Sequence, residues 1–481
     1  MDAHSELPRL RASIRLQEPT VEDEDEDPVQ WFDVKFCPYT EDPVFAVVGG
    51  PYTVICRCVY KDDSTFDILR VFEEEHEDES GSGAGGLNSL EWSQAENGDP
   101  LVCVSGPSQI KVLNVKTGAL ETTLVGHGAN VNDLAISPLD PTILASCSID
   151  HSIRIWSLKP AHSKQPTAAI CYGQGHKDQI LSIAYHRKGQ HILSGGMDTR
   201  INLWIVPDDL EERMGTDKPA MVHYPHFSTT ELHTDNVDCV RWCNDLVISC
   251  AARENTIQLW RIDNFSSDRP PPGPAPIPLV RTVNSHEKVT IPTTSIEGTR
   301  SAWGGRFQRL LQFDFPDHKT FYVRFSLFHK LGAHPILVAG NDDSRIFFWD
   351  LQLLEDLGAG DFAEPKKVLL LARDIREGSA ASNNSGTSGS SHLSRSGPST
   401  KGRGGKSKRR NRGIGDPFHS IEAHSIITVP KYTFGFHQFA WSHDGQWCVG
   451  VGDFSLINVL HRWEKRVPTP ETSSAKKAGK D

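Results

Sequence analysis

No run of about 18 apolar residues occurs anywhere in this 481-residue sequence, so neither a membrane-spanning helix nor a membrane partner is expected. Met1 to Leu16 has no apolar signal core, which argues against secretion. Positive charge is in deficit: the formal net charge is −12, and general affinity for nucleic acid is not expected. Paired cysteines are also scarce. The ten cysteines sit singly on apolar stretches, as reduced thiols of a cytosolic or nuclear protein do. Cys56-x-Cys58 and Cys239-x3-Cys243 are the close pairs. Neither has a partner pair at zinc-finger spacing, so they read as core thiols, with no metal or cofactor. Hydrophobic residues make up 37%, enough for a core once a few polar inserts are discounted.

A repeat is present. Its unit is a His near a turn, an alternating strand, a small-residue strand, an Asp turn, and a strand ending in Trp. The clearest copy runs from Gly126-His127 through Val131–Ser137, Leu144–Ser148 and Asp150 to Ile153–Trp156. A second runs from Gly175-His176 through Ile180–Tyr185, Ile192–Gly195 and Asp198 to Ile201–Trp204. A third starts at His233 and passes Val237–Trp242 and Leu246–Cys250 to Trp260. This is the WD-repeat signature, and each unit is one four-stranded propeller blade. Weaker copies follow Trp31–Phe36, Leu87–Trp92, Phe321–Phe325 and Phe434–Trp441. The expected fold is therefore an all-β, seven-bladed WD40 propeller.

An open propeller would leave a bare strand edge. After Trp463 only a Lys-rich tail remains, so the last blade lacks an outer strand of its own. Leu10–Leu16 alternates apolar and polar residues and is expected to supply it. The chain thus divides into a segment 1–27 with the ring-closing strand, a propeller over 28–463, and a disordered tail over 464–481. Three inserts interrupt the blades: 73–86, acidic then Gly-rich; 264–305, with Pro270–Pro278; and 380–415, Ser/Gly-rich then basic. None holds enough apolar surface to fold alone. Lys401–Arg412 carries seven basic residues among twelve. It fits a nuclear import signal, a weak and sequence-blind nucleic-acid contact, or a solvated loop.

Asp, His and Ser recur together, as in a hydrolase triad. The set repeats, however: His127, Ser146, Asp150 with Trp156, and His176, Ser194, Asp198 with Trp204. A catalytic site needs one copy, whereas a structural network needs one per blade. No single-copy acid, base or nucleophile set stands out, so no enzyme is expected and no residue is assigned a catalytic role. Gly81-x-Gly83-x-x-Gly86 formally matches a dinucleotide fingerprint but follows an acidic run and opens no helix.

Several stretches are more specific. They are Val125-Gly126-His127-Gly128, Asp140-Pro141, Asp150-His151-Ser152-Ile153-Arg154-Ile155-Trp156, Glu231-Leu232-His233, Val237-Asp238-Cys239-Val240-Arg241-Trp242 and Phe321-Tyr322-Val323-Arg324-Phe325-Ser326. Together they resemble the embryonic ectoderm development family, the WD-repeat subunits of Polycomb repressive complex 2, in a fungal-type form. The resemblance covers roughly Pro28 to Trp463 outside the inserts. It implies a nuclear scaffold that reads trimethyl-lysine on histone H3 tails at the top of the propeller. It also implies a helical segment of the histone methyltransferase catalytic subunit on the opposite face, stimulated when the mark is read. A zinc-finger Polycomb subunit and weak nucleosome contact complete the implied partners.

A trimethylammonium has no N–H to donate and keeps a weakly hydrated positive charge. Aromatic faces attract it, at about 0.5–2 kcal/mol per ring. By the resemblance, the cage positions fall on Phe32, Asn88, Phe321 and Tyr322. Phe321 stands where the family has Trp. Asn88 stands where it has Tyr, so one wall is thin unless a residue of the neighbouring insert fills it. Arg324 and Asn132 match residues lining the upper channel and are expected to contact the peptide. The alternation in Phe321–Phe325 places Phe321 and Tyr322 at a strand end. The competing reading is a WD-repeat adaptor of another assembly, such as a ubiquitin-ligase substrate receptor, which the same fold would host.

Overall fold

In the computed structural model, residues 6–16, 28–61, 64–74, 86–270, 272–277, 298–360, 415–431 and 433–462 are described. Lys401–Arg412, Trp463, the tail and the middles of all three inserts lie outside them. The described strands form seven sheets, each a blade of four antiparallel strands. The inner strands are Asp33–Phe36, Ser89–Gln94, Val131–Ile136, Ile180–Tyr185, Val237–Cys243, Ser326–Phe328 and Phe436–Trp441. They surround a central channel, and most of them pack against the inner strands of the neighbouring blades along the ring. No helix among the described residues is long and apolar enough to cross a membrane.

The second and third strands of each blade are buried on both faces and read as nearly continuous apolar runs, such as Val44–Gly49 and Ile143–Ser148. Their side chains fill the gaps between blades. One cluster joins Phe45, Val47 and Val54 of the first blade to Trp447, Val449 and Val459 of the last. All ten cysteines are buried free thiols within these cores, and burial pushes the Cys171 thiol up to about 12.

The last blade takes its outer strand from the other end of the chain. Arg9–Arg15 pairs antiparallel with Leu456–His461, from Arg9 opposite His461 to Arg15 opposite Leu456. A bulge between Leu10 and Ala12 switches the face that the apolar side chains present. Leu7 and Leu10 therefore pack toward the sixth blade, and Ile14 and Leu16 toward the first.

Three blades gain a fifth strand. Ala220–Val222 adds to the third blade in parallel, Thr299–Ser301 to the fourth, and Ser420–Ile421 to the fifth in parallel. The ends of the 264–305 segment are thus ordered into the propeller. Phe265 is buried, and its ring meets Trp242, Trp303 and His191 at 5.2–5.5 Å. Both ends are fastened because their aromatic residues fall between two blades and bury more surface than the polar middle offers.

Candidate binding site at the channel mouth

The inner strands begin at one mouth of the channel, termed upper here. In the third, fourth, fifth and seventh blades the register slips by one residue near that end, at Asn132, Leu181, Asp238 and His437. Such a bulge twists the strand and re-aims the extra residue. In the first and second blades, Phe32 and Asn88 occupy the place just before the strand. Each donates its backbone N–H to the second strand, to Val48 O and Ser105 O, at 2.9 Å.

Phe321 and Tyr322 belong to the sixth blade, but not to a strand. The inner strand there is Ser326–Phe328, so the expected strand over Phe321–Phe325 is corrected. The alternation that suggested it is coincidental, because the segment is a loop. Tyr322 adopts φ +70°, a left-handed turn that is unusual for a bulky residue. Its surroundings hold it there. Asp342 accepts from the Lys319 and Thr320 N–H groups at 2.6 and 3.1 Å and from the Thr320 hydroxyl at 2.7 Å. The Arg324 N–H donates to His437 O at 2.9 Å.

This turn brings distant residues together. The Phe32 and Tyr322 rings are edge to face at 6.4 Å, and Phe321 lies 5.5 Å from Tyr322. Phe321 is 49% exposed, an open aromatic wall, while Phe32 and Tyr322 are partly buried. Burial pushes the Tyr322 phenol pKa up, so the hydroxyl stays neutral. Asn88 is partly buried at the matching place of the second blade, and supplies an amide rather than a ring. The sequence reasoning missed His437, whose ring stands 5.1 Å from Phe32 and whose Nε2 lies 3.1 Å from Asp453. Its signal was positional: it lies at the upper end of the seventh inner strand, as Phe32 lies just before the first.

Arg324 and Asn132 are committed to the channel wall. Arg324 is buried, with Nη2 donating to Asn132 O at 2.9 Å and Leu181 O at 3.0 Å. Its Nη1 reaches Asp133 at 3.3 Å, and its guanidinium lies 5.5 Å from the Tyr322 ring centre. The Asn132 amide donates to Ile180 O at 2.9 Å. Their geometry suits holding the cage from behind.

The repeated Asp, His, Ser and Trp sets lie along the blades, away from these rings. In the third blade Trp156 Nε1 donates to Ser146 Oγ at 2.7 Å. His127 Nε2 lies 2.7 Å from that oxygen, and His127 Nδ1 lies 2.9 Å from Asp150. One tautomer satisfies every group: Ser O–H to Nε2, and Nδ1–H to the carboxylate. The fourth blade repeats this through His176, Ser194, Asp198 and Trp204 at 2.7–3.0 Å. The fifth has a further copy, His233, Ser249 and Trp260, closed by Glu254 in place of Asp.

Burial lowers the His127 pKa, keeping the imidazole neutral. Burial also lowers His226 and His424, and takes His191 down to about 4. Unfolded histidines titrate near ~6.5. The unfolded chain therefore binds more protons as pH falls below that value, and stability is lost on acidification. Asp150 and Asp198 add to the loss at lower pH. Burial alone would raise them, but the His, Ser and backbone donors hold both below the usual carboxylate range. The melting temperature should fall continuously from pH 7 to 5. Calorimetry in buffers of different ionisation enthalpy should register net proton uptake on unfolding, and zero uptake at pH 5.5 would contradict the assignment.

The fold and the repeated networks define a WD-repeat propeller whose upper mouth is rimmed by aromatic residues from blades far apart in sequence. The WD domain, G-beta repeat, matches residues 118–157 and 169–204. The chain is 42% identical over 362 residues to Polycomb protein EED of Chaetomium thermophilum, covering 73% of this chain and 62% of that protein's length. It is 25% identical over 338 residues to Polycomb protein esc of Drosophila melanogaster, covering 66% and 68%. Among solved structures, it aligns with a chain of a humanized mutant of Chaetomium thermophilum Polycomb Repressive Complex 2 bound to the inhibitor GSK343. The TM-score is 0.76 at 34% identity, covering 96% of this chain and 99% of that one. A chain of ctPRC2 in complex with H3K27me3 and H3K27M aligns with TM-score 0.76 at 33% identity, covering 96% and 99%. The chain belongs to the EED family of Polycomb proteins.

Proposed function

We propose that this chain is the non-catalytic scaffold of a Polycomb histone H3 lysine methyltransferase complex, and that it reads trimethyl-lysine at the upper mouth. The observation that carries the reading is the convergence of Phe32, Tyr322 and Phe321 from the first and sixth blades. Three rings around an opening suit a quaternary ammonium, which offers charge and methyl groups but no hydrogen-bond donor. Arg324 and Asn132 position the cage, with Arg324 stacked behind Tyr322. A ctPRC2 relative solved with H3K27me3 supports a histone H3 tail as the ligand. The catalytic subunit docks on the face away from the cage, so that reading and catalysis proceed together. The zinc-finger Polycomb subunit and weak nucleosome contact complete the assembly, which acts in the nucleus. The basic run Lys401–Arg412 suits import.

The test is calorimetry of the full chain with histone H3 tail peptides that differ only in the methylation of one lysine. The trimethylated peptide should bind several-fold tighter, because an unmethylated ammonium must shed tightly held water. Equal affinities would overturn the reader. Co-purification with the catalytic subunit should survive Phe32→Ala and Tyr322→Ala; its loss in both folded variants would place the two surfaces together.

A further inference from the structure

A row of polar side chains crosses the fourth blade. Ser194, Asn202, Ser228 and Arg300 are direct partners on four successive antiparallel strands, so all four project from one face of the sheet. That face packs on the third blade, where Ile192 and Trp204 join Ile155, Ala169 and Cys171 in one core cluster. The Ser194 hydroxyl is satisfied by His176 and Trp204. Asn202 is 0% and Ser228 1% exposed, and among the described residues neither side chain has a hydrogen-bond partner. Arg300 Nε and Nη1 are buried without one as well, while its Nη2 donates to Gln174 O at 3.3 Å. A buried polar group left unpaired is costly, and several in one row point to a bound polar ligand.

Cations gather at the same place. Arg200 stands two residues before Asn202, with its Nε 3.3 Å from Asp198. Lys177 Nζ donates to Gly173 O at 2.9 Å and to Gln174 Oε1 at 3.4 Å. Burial lowers the Lys177 pKa, and the nearby Arg200 and Arg300 lower it further. Burial and Arg200 likewise lower that of Arg300. Asp198 is the carboxylate that acts on Lys177, and it is already engaged by the Lys177 N–H at 2.7 Å and His176 Nδ1 at 3.0 Å. Among the described residues no carboxylate acts on Arg300.

We propose that this row binds a phosphate group. The Arg300 guanidinium, the Asn202 amide and the Ser228 hydroxyl hold it, and Lys177 and Arg200 add positive charge. Arg and Lys only donate hydrogen bonds, and Asn202 and Ser228 each have hydrogens to give. Ordered water would satisfy these donors but leave the Arg300 charge uncompensated. A tetrahedral oxyanion accepts from the planar guanidinium and supplies the countercharge as well. The site lies in the fourth blade, apart from Phe32 and Tyr322 in the first and sixth, and does not depend on methyl-lysine reading.

The test melts the full chain in sodium phosphate and in sodium chloride of matched ionic strength, and titrates inorganic phosphate by calorimetry. Phosphate should raise the wild-type melting midpoint, since a ligand held only by the folded state stabilises it. Arg300→Met should abolish that rise. In chloride the same variant should melt at or above the wild-type temperature, because repulsion from Arg200 and Lys177 is relieved. Phosphate affinity should fall about tenfold in Arg300→Met and less in Arg300→Lys, which keeps the charge but loses the fork. Ser228→Ala should weaken phosphate binding severalfold, and it keeps the test open if Arg300→Met fails to fold. Glycerol phosphate, titrated in parallel, separates the sources. Binding as tight as that of inorganic phosphate assigns a phosphate monoester and weaker binding a free ion, and either supports the site. Absence of phosphate binding by the wild type overturns the proposal. So does wild-type phosphate affinity in the folded Arg300→Met and Ser228→Ala variants, or an equal loss of stability for Arg300→Met in phosphate and in chloride, which would make the arginine purely structural.

Discussion

Removal of residues 1–16 should lower the melting temperature by about 10 °C or more. The segment supplies a whole outer strand, and its loss bares the edge of Leu456–His461. The bulge at Leu10–Ala12 lets this one strand pack on both neighbours, through Leu7 and Leu10 on one side and Ile14 and Leu16 on the other. Full burial of such a side chain contributes roughly 1.5–3 kcal/mol. Four partly buried ones together contribute about 5 kcal/mol, or some 2–4 °C for each kcal/mol in a sizeable domain. The backbone adds further anchors: the Leu16 N–H donates to Ser455 O at 3.1 Å, and the buried Arg462 guanidinium donates to Glu6 O. The measurement is a scanning-calorimetry melt of the truncated chain against the full one, with Ile14→Asp as a milder variant. An unchanged midpoint would show that the strand adds nothing to ring stability.

Much of this architecture is legible in the sequence because a propeller repeats its chemistry. A strand that ends in Trp, a Ser two strands in and a His before the unit form a network wherever they occur. Glu254 shows the limit, since a longer carboxylate closes the same network and a search for Asp passes over it. The fifth strands were not legible. Thr299–Ser301 and Ser420–Ile421 are only three and two residues long, and each pairs with a strand far away in sequence. Strand periodicity needs several residues to register, and pairing at that distance is a tertiary effect. Phe321–Phe325 failed for the opposite reason. It carries the right alternation but turns left-handed at Tyr322, held by Asp342 some twenty residues on.

Alanine at Phe32 or Tyr322 should weaken trimethyl-lysine binding five- to thirtyfold, about 1–2 kcal/mol for one ring. The two positions differ in what else they do, and the difference can be measured. Tyr322 stands between Phe32, Phe321 and the Arg324 guanidinium, so its removal also leaves that buried cation without its ring. Arg324 keeps Asp133 and two carbonyls, so the propeller should remain folded. Phe32→Ala removes a ring that touches His437 and should leave Arg324 undisturbed. Tyr322→Phe keeps the ring and loses only the hydroxyl, so it should bind nearly as the wild type does. Asn88→Tyr tests the thin wall. Asn88 enters its blade as Phe32 does, with the same backbone bond to the second strand, so a ring placed there faces the same mouth. It should tighten binding severalfold, and an affinity unchanged from wild type would mean that this side is already closed. Calorimetry of the four variants against one trimethylated H3 peptide, with a melt of each to confirm folding, decides the matter. Wild-type affinity in both alanine variants would keep a reader but move its site away from Phe32 and Tyr322. Loss in Tyr322→Phe equal to that in Tyr322→Ala would make the hydroxyl, not the aromatic face, the recognition element. The expected order, from tightest to weakest, is Asn88→Tyr, wild type with Tyr322→Phe, then the two alanine variants, as follows if cation–π attraction holds the methylated lysine.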